Sequence, residues 1–339
     1  NLSNVEGIPT ADLLTGNTST TARYVSSVVD PDMQPYSGKL LYINNKYLLM
    51  NLDENQIQLY DFDIDNNTKN AICLVAGAGA GKTNTIIQKI IKMILQDDCD
   101  PTHFFITTFT KAAAQELKNR LIKYLGNSVV DQMIIGTFHK IANIFLKKYN
   151  IIDEVVISSF DESLNLYADL IASDTYDENH SYIFIDEYKD INSLQENIIY
   201  NLYCKECCKL LIVIGDDQQN IYTFRQSDIR YMLNFTNKYN GHYIYLTKNY
   251  RCPLPIVNLS NAILAQNINK IDKHFVSASN IVNKIILLSL KYSEYDIQLN
   301  YLNISKMIFK KINFLLIIIC DKSNYNDIVN RIKVGDNLV

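Results

Sequence analysis

The stretch Ala71–Ile87, AICLVAGAGAGKTNTII, limits what this chain can fold into more than any other. A continuous apolar run ends at Ala76, a glycine-rich turn follows, and an amphipathic run starts at Lys82. Strand, turn and helix in that order, with GKT closing the turn, is the pattern of a phosphate-binding loop. The glycines let backbone N–H groups curve around an anion, and the start of the helix favours negative charge. The usual spacing has glycine five residues before Gly81, where Ala76 stands instead. A methyl group is tolerable there if Ala76 keeps a negative φ. On this reading Gly77, Ala78, Gly79, Ala80 and Gly81 form the cradle. Lys82 reaches the β- and γ-phosphates of ATP, Thr83 ligates Mg2+, and Asn84 continues the nucleotide-binding run. The alternative is an ordinary glycine-rich turn, which the strand before it and the helix after it disfavour.

The same alternation runs on from Asn70. Short apolar segments AICLV, HFFITTF, QMIIG, YIFID, LLIVIG, YIYLT and NFLLIII are separated by amphipathic ones. Continuous, β-branched runs suit strands buried on both faces of a parallel sheet. Between them, KTNTIIQKIIKMIL sets Ile86, Ile87, Ile90, Ile91 and Ile94 on one helical face. The expected fold is therefore α/β, a P-loop NTPase domain with a parallel sheet flanked by helices. Sites in such sheets lie beyond the carboxyl ends of the strands. Residues 1–50, rich in Thr, Ser and Asn with prolines at 9, 31 and 35, read as a polar leader of uncertain role.

Composition excludes some classes. The 339 residues carry a formal net charge of −4, so any nucleic-acid contact needs a local basic track. Only six of the 32 basic residues are arginine, which makes an arginine inside a motif informative. The longest apolar run, Phe314–Cys320, is too short to span a bilayer, and no secretory leader is visible. The expected location is the cytoplasm or a nucleoid or viral-factory DNA compartment. Cys204, Cys207 and Cys208 offer half a zinc site without a second ligand pair, so reduced thiols are the expectation.

A phosphate loop needs an acid to hold the metal, at the end of a neighbouring strand. YIFIDEYKD supplies Asp186 for Mg2+ and Glu187 as general base on the attacking water. Alone, DE after a strand is as well explained by a helix N-terminus.

Taken together, the motifs resemble the UvrD/Rep family of superfamily 1 DNA helicases. LDENQ resembles its Q motif, which implies that Gln56 reads adenine. AGAGAGKT matches the family's own loop, which also begins with alanine, and TTFTKAAAQELKNRL, GTFHKIA, IDEYKD, GDDQQNIYTFRQSD and NYRCPLPI follow in family order. The resemblance implies Gln219 as a γ-phosphate sensor, Tyr250 against the adenine and Arg251 at the γ-phosphate. It also implies DNA contacts from Phe109, Thr137, His139, Phe224 and Arg225. For Phe109 and Phe224 core packing remains the alternative to base stacking, and for His139 a capping or core role. Lys189 departs from the family's glutamine, and Tyr188 replaces its phenylalanine.

The implied architecture is a RecA-like motor domain over residues 51–247, with a short stub near 150–180 in place of a larger insertion. The start of a second RecA-like domain follows over 248–339. No later family motif follows Arg251, so the expectation is slow hydrolysis and no unwinding by this chain alone. The implied activity is ATP-dependent 3′→5′ translocation on single-stranded DNA and at duplex junctions, in repair or replication, without a membrane partner. The N-terminal half of a helicase–nuclease and a non-motor ATP-gated DNA-binding module are the alternatives.

Overall fold

The computed structural model describes residues 52–279, apart from 66–67, 153–159, 221–226 and 269. The leader, the apolar segment 313–319, Phe224 and Arg225 lie outside the described residues. The described chain divides into two compact units, residues 52–76 with 82–246, and residues 77–81 with 247–279.

The first unit is built on six parallel strands: β1 (Asn70–Ala76), β2 (Phe104–Thr107), β3 (Ile134–Gly136), β4 (Tyr182–Ile185), β5 (Leu210–Gly215) and β6 (His242–Leu246). Their order is β3-β2-β4-β5-β1-β6. β2, β4 and β5 are buried along their whole length, and β1 from its second residue, as their unbroken apolar runs require. β6 closes one edge, so it alternates between buried and accessible residues beyond its exposed first position. β3 closes the other edge and buries only Gly136.

Helices cover both faces of such a sheet because each crossover returns the chain to a parallel neighbour. They are α1 (Glu54–Tyr60), α2 (Lys82–Leu95), α3 (Lys111–Leu125), α4 (Phe138–Lys148), α5 (Phe160–Ala172) and α6 (Ser193–Cys204). Local chemistry sets their starts. Asp53 and Gln56 form a reciprocal capping box at α1, and Asn192 and Gln195 form one at α6. Thr110 and Thr137 cap α3 and α4 by accepting from Ala113 and Lys140 N–H. The apolar face expected for α2 is buried, but so is Lys89. Its ammonium donates to the carbonyls of Tyr60, the last residue of α1, and Phe62, and burial pulls its pKa down to about 8.

The region expected to be a stub, residues 150–180, contributes α5, which packs against α4 and α6. Its interior is aromatic. Tyr167 and Tyr176 hydroxyls meet at 3.0 Å, Tyr176 reaches His180 Nε2 at 2.8 Å, and the Phe145 ring lies against all three. Burial holds His180 near pKa 4, so its ring stays neutral inside.

The second unit is smaller. β7 (Lys248–Asn249) pairs in parallel with β8 (Val276–Ser277), and α7 (Leu254–Leu264) lies between them in sequence, with Pro253 at its start.

Candidate functional site

Parallel strands put all their carboxyl ends on one edge, and Lys82, Thr83, Asn84, Asp186, Glu187 and Gln219 follow strand ends there, whereas Gln56 lies on α1. Lys82, Thr83 and Asn84 form the first turn of α2, all half-buried. Asp186 directly follows β4, and Gln219 follows β5. One expectation needs correction. The strand carrying Asp186 is not the neighbour of β1, because β5 is inserted between them and hydrogen-bonds both. The shared carboxyl edge still brings the charges together. Burial, then the charge of Glu187, pushes Asp186 up to about 6, and Lys82 acts in the opposite direction.

Glu187 is held in an unusual way. It has φ 53° and ψ 43°, the left-handed region that non-glycine residues rarely enter. Such a residue costs on the order of 1–3 kcal/mol and persists only where its surroundings over-determine it. Its Oε2 is buried without a hydrogen bond and stands 3.5 Å from Lys189 Nζ. Lys189 also pairs with buried Asp190. The lysine that departs from the family pattern is thus the cation between two carboxylates. Lys189→Met is expected to lower unfolding free energy by about 3–5 kcal/mol, since it strands Asp190 as an uncompensated buried charge. Urea denaturation of both proteins measures this, and a loss below about 1 kcal/mol would show that the pair holds nothing together.

Neighbouring side chains fix the rest of this edge. Gln219 donates to Asp216 Oδ2 at 2.6 Å, so Asp216 orients it. Tyr188 is fully buried and donates to Glu196 at 2.8 Å, and Tyr239 and Lys238 converge on the same carboxylate. A hydroxyl in place of the family's plain ring is therefore satisfied. Gln56 is buried, and its carboxamide oxygen accepts from Asp53 N–H in the capping box.

The second unit holds the glycine loop. Ala76 remains in β1 and is not among the positive-φ residues, so its methyl group is accommodated. Gly79 and Gly81 take φ 74° and 82°, which side chains resist. A Cβ on Gly79 would lie 2.6 Å from Arg251 Cβ, and one on Gly77 would lie 2.5 Å from the Phe275 ring. Tyr250 is 47% exposed, donates its backbone N–H to Gly79 O at 2.9 Å, and carries Lys248 over its ring at 5.6 Å.

A separate groove of the first unit has a volume of about 620 Å3 and lies between α3 and α4. Lys111, Lys118, Lys140, Lys147 and His139 line it, and no carboxylate does. Lys118 pairs with Asp131 at 2.9 Å. Thr137 sits at the groove, where its hydroxyl also caps α4. Burial holds the His139 ring below its ordinary pKa. Phe109 is half-buried just past β2.

The donor set suits a magnesium nucleotide: a hydroxyl at Thr83, hard carboxylate oxygens at Asp186, and a cation at Lys82. Among the described residues no three His, Cys, Asp or Glu side chains stand together as a metal site, Cys204, Cys207 and Cys208 included. No helix of the described residues is long and apolar enough to cross a membrane.

Comparison with known proteins gives the family. The model of the UvrD/REP helicase N-terminal domain matches residues 61–169 and 152–240, together more than half of the chain. The chain belongs to the UvrD/Rep helicase family. The family match ends at residue 240, so β7, α7 and β8 lie past it. Three curated relatives agree. A probable DNA helicase II homolog of Rickettsia felis is 25% identical over 315 residues, covering 66% of this chain and 47% of its own length. The ATP-dependent DNA helicase Rep of Buchnera aphidicola is 26% identical over 355 residues, covering 79% and 55%. The ATP-dependent DNA helicase PcrA of Leuconostoc citreum is 24% identical over 290 residues, covering 61% and 38%. The chain spans about half the length of the curated relatives it matches.

Within this UvrD/Rep chain, motif reading missed Lys189 as an ion-pair centre, Asp216 as the support of Gln219, and the lysines of the α3–α4 groove. The lysines left a signal, since Lys140 and Lys147 recur at helical spacing on α4. The other two also have sequence neighbours as partners, Glu187 and Asp190 for Lys189 and Gln219 for Asp216, a local signal that motif matching passes over.

Proposed function

We propose that this chain binds Mg2+·ATP, hydrolyses it, and couples the cycle to 3′→5′ movement on single-stranded DNA. One observation carries the reading: Lys82, Asp186 and Glu187 share the carboxyl edge of a single parallel sheet, and the charges of Lys82 and Glu187 both act on Asp186. That edge is where a glycine loop ending in GKT needs its acid partners.

In this account the loop amides of Gly77–Gly81 and the Lys82 ammonium hold the phosphates, with Ala76 leading into the loop. Thr83 and Asp186 would hold Mg2+, which would neutralise charge on the phosphoryl oxygens. Glu187 takes the proton of the attacking water. Gln219, oriented by Asp216, and Arg251 read the γ-phosphate, while Gln56, Asn84 and Tyr250 contact the nucleotide. Phe109, Thr137 and His139 meet DNA, and the lysines of the α3–α4 groove follow its phosphates. Phe224 and Arg225 join them by family membership alone.

Fluorescence anisotropy with mixed-sequence oligonucleotides tests the DNA assignment. Phe109→Ala is expected to weaken binding by about 1–3 kcal/mol with little sequence preference, because stacking is blind to base identity. Lys140→Ala is expected to lower the salt slope of binding by about one unit. Loss of folding without a binding defect would return Phe109 to the core. Direction is read by ATP-driven displacement of streptavidin from a biotinylated single strand, which should favour a biotin at the 5′ end over one at the 3′ end. The reverse preference would contradict the assigned polarity.

A further inference from the structure

We infer that Asn249 is a positioning residue for the glycine loop, a clasp that sets the loop's peptide planes before any nucleotide arrives. Asn249 lies at the end of β7 and is buried. Its carboxamide works at both ends. Nδ2 donates to the carbonyl of Ala78 at 2.8 Å. Oδ1 accepts from the N–H groups of Arg251 and Cys252, at 2.9 and 2.8 Å. The next residue adds a parallel bond, Tyr250 N–H to Gly79 O at 2.9 Å. Two successive loop carbonyls are thus drawn to one short segment.

The consequence follows from peptide geometry. In a trans peptide the C=O and the following N–H point in opposite directions. Fixing Ala78 O toward Asn249 therefore aims Gly79 N–H away from the clasp. Tyr250 does the same for the peptide between Gly79 and Ala80, whose N–H donates to Gly77 O at 3.2 Å. Gly79 can take this pose because its φ is positive and because Arg251 Cβ leaves no room for a side chain. A free glycine loop samples many conformations, and ordering it on binding would weaken affinity. The clasp removes that cost in advance.

A second asparagine supports the same end of the loop. Asn261 on α7 donates to Phe275 O at 2.7 Å and accepts from Phe275 N–H at 3.1 Å. This seats the Phe275 ring against Gly77. Residues 247–279 thereby shape a loop that sequence alone assigns to the domain before them. The inference rests on the nucleotide reading above for its functional consequence, but not for the clasp itself.

Three variants separate a clasp from a simple turn-former. Asn249→Asp and Asn249→Ser keep an oxygen that accepts from the turn amides, but the carboxylate has no proton to donate to Ala78 O, and the uncharged serine hydroxyl, one bond shorter than the Nδ2 it replaces, falls short of it. Asn249→Ala loses both ends. The first readout is hydrogen exchange of the Gly77–Gly81 amides without nucleotide, and the second is Mg2+·ATP affinity by calorimetry. All three variants are expected to exchange about tenfold faster in the loop and to bind about tenfold more weakly, the usual effect of one lost hydrogen bond. If the aspartate and serine variants match the parent in loop exchange while the alanine variant does not, Asn249 only shapes its own turn and the inference fails. Faster exchange with unchanged affinity also overturns it. If the parent itself binds no nucleotide, the functional reading has failed, and loop exchange still decides the clasp. Should the aspartate variant not fold, the serine variant decides between the same two outcomes.

Discussion

Arg251→Ala is expected to slow ATP hydrolysis by about 10³–10⁵-fold while changing Mg2+·ATP affinity only a few-fold. An arginine beside a transferring phosphoryl group matters most when charge builds in the transition state, and removing one has effects of this size. Arg251 is exposed, follows the Asn249 turn, and packs its Cβ over Gly79. Its guanidinium is therefore tethered at the root and free to reach at the tip. It is also one of only six arginines among 32 basic residues. Arg251→Lys should recover little, because a point charge does not reproduce the planar fork. Single-turnover hydrolysis with a parallel binding titration separates the two quantities. Equal loss of affinity and turnover would mean that Arg251 serves ground-state binding instead.

Glu187→Gln is expected to reduce hydrolysis by about 10²–10⁴-fold and to leave nucleotide binding intact, since the carboxamide keeps the shape but accepts no proton. The conformation supports the assignment. A left-handed, non-glycine backbone aims this carboxylate, and Lys189 stands 3.5 Å from it. Strain kept at a position that glycine would occupy more easily is typical of groups whose direction matters. Hydrolysis at the parent rate in this variant would remove Glu187 as the base.

Much of the fold was legible because burial on both faces writes itself into local sequence. β1, β2, β4 and β5 are unbroken apolar runs, and the helical face at Ile86, Ile87, Ile90, Ile91 and Ile94 is buried as read. The glycine loop was legible for a related reason, since its positive φ angles demand glycine at 79 and 81. Strand order was not, because nothing local in YIFID or LLIVIG says that β5 separates β4 from β1. Buried polar groups were also hidden. Lys89 reads as the solvent side of α2 until the carbonyls of Tyr60 and Phe62 arrive to accept from it. Tyr188 reads as a mild substitution until Glu196, eight residues on, takes its hydroxyl. Asn249 reads as a spacer before Tyr250 and Arg251, although its partner lies 171 residues earlier. In each case the deciding partner lies outside the motif that the residue belongs to.

This UvrD/Rep chain is expected to turn over ATP through the Lys82 loop in response to DNA. The most direct measurement is phosphate release from Mg2+·ATP, with and without mixed-sequence single-stranded DNA, for the parent chain and for Lys82→Ala. Turnover that rises on adding DNA is expected in the parent, and none in the variant, which lacks the cation at the β- and γ-phosphates. Equal nucleotide affinity and equal turnover in the two proteins would contradict it.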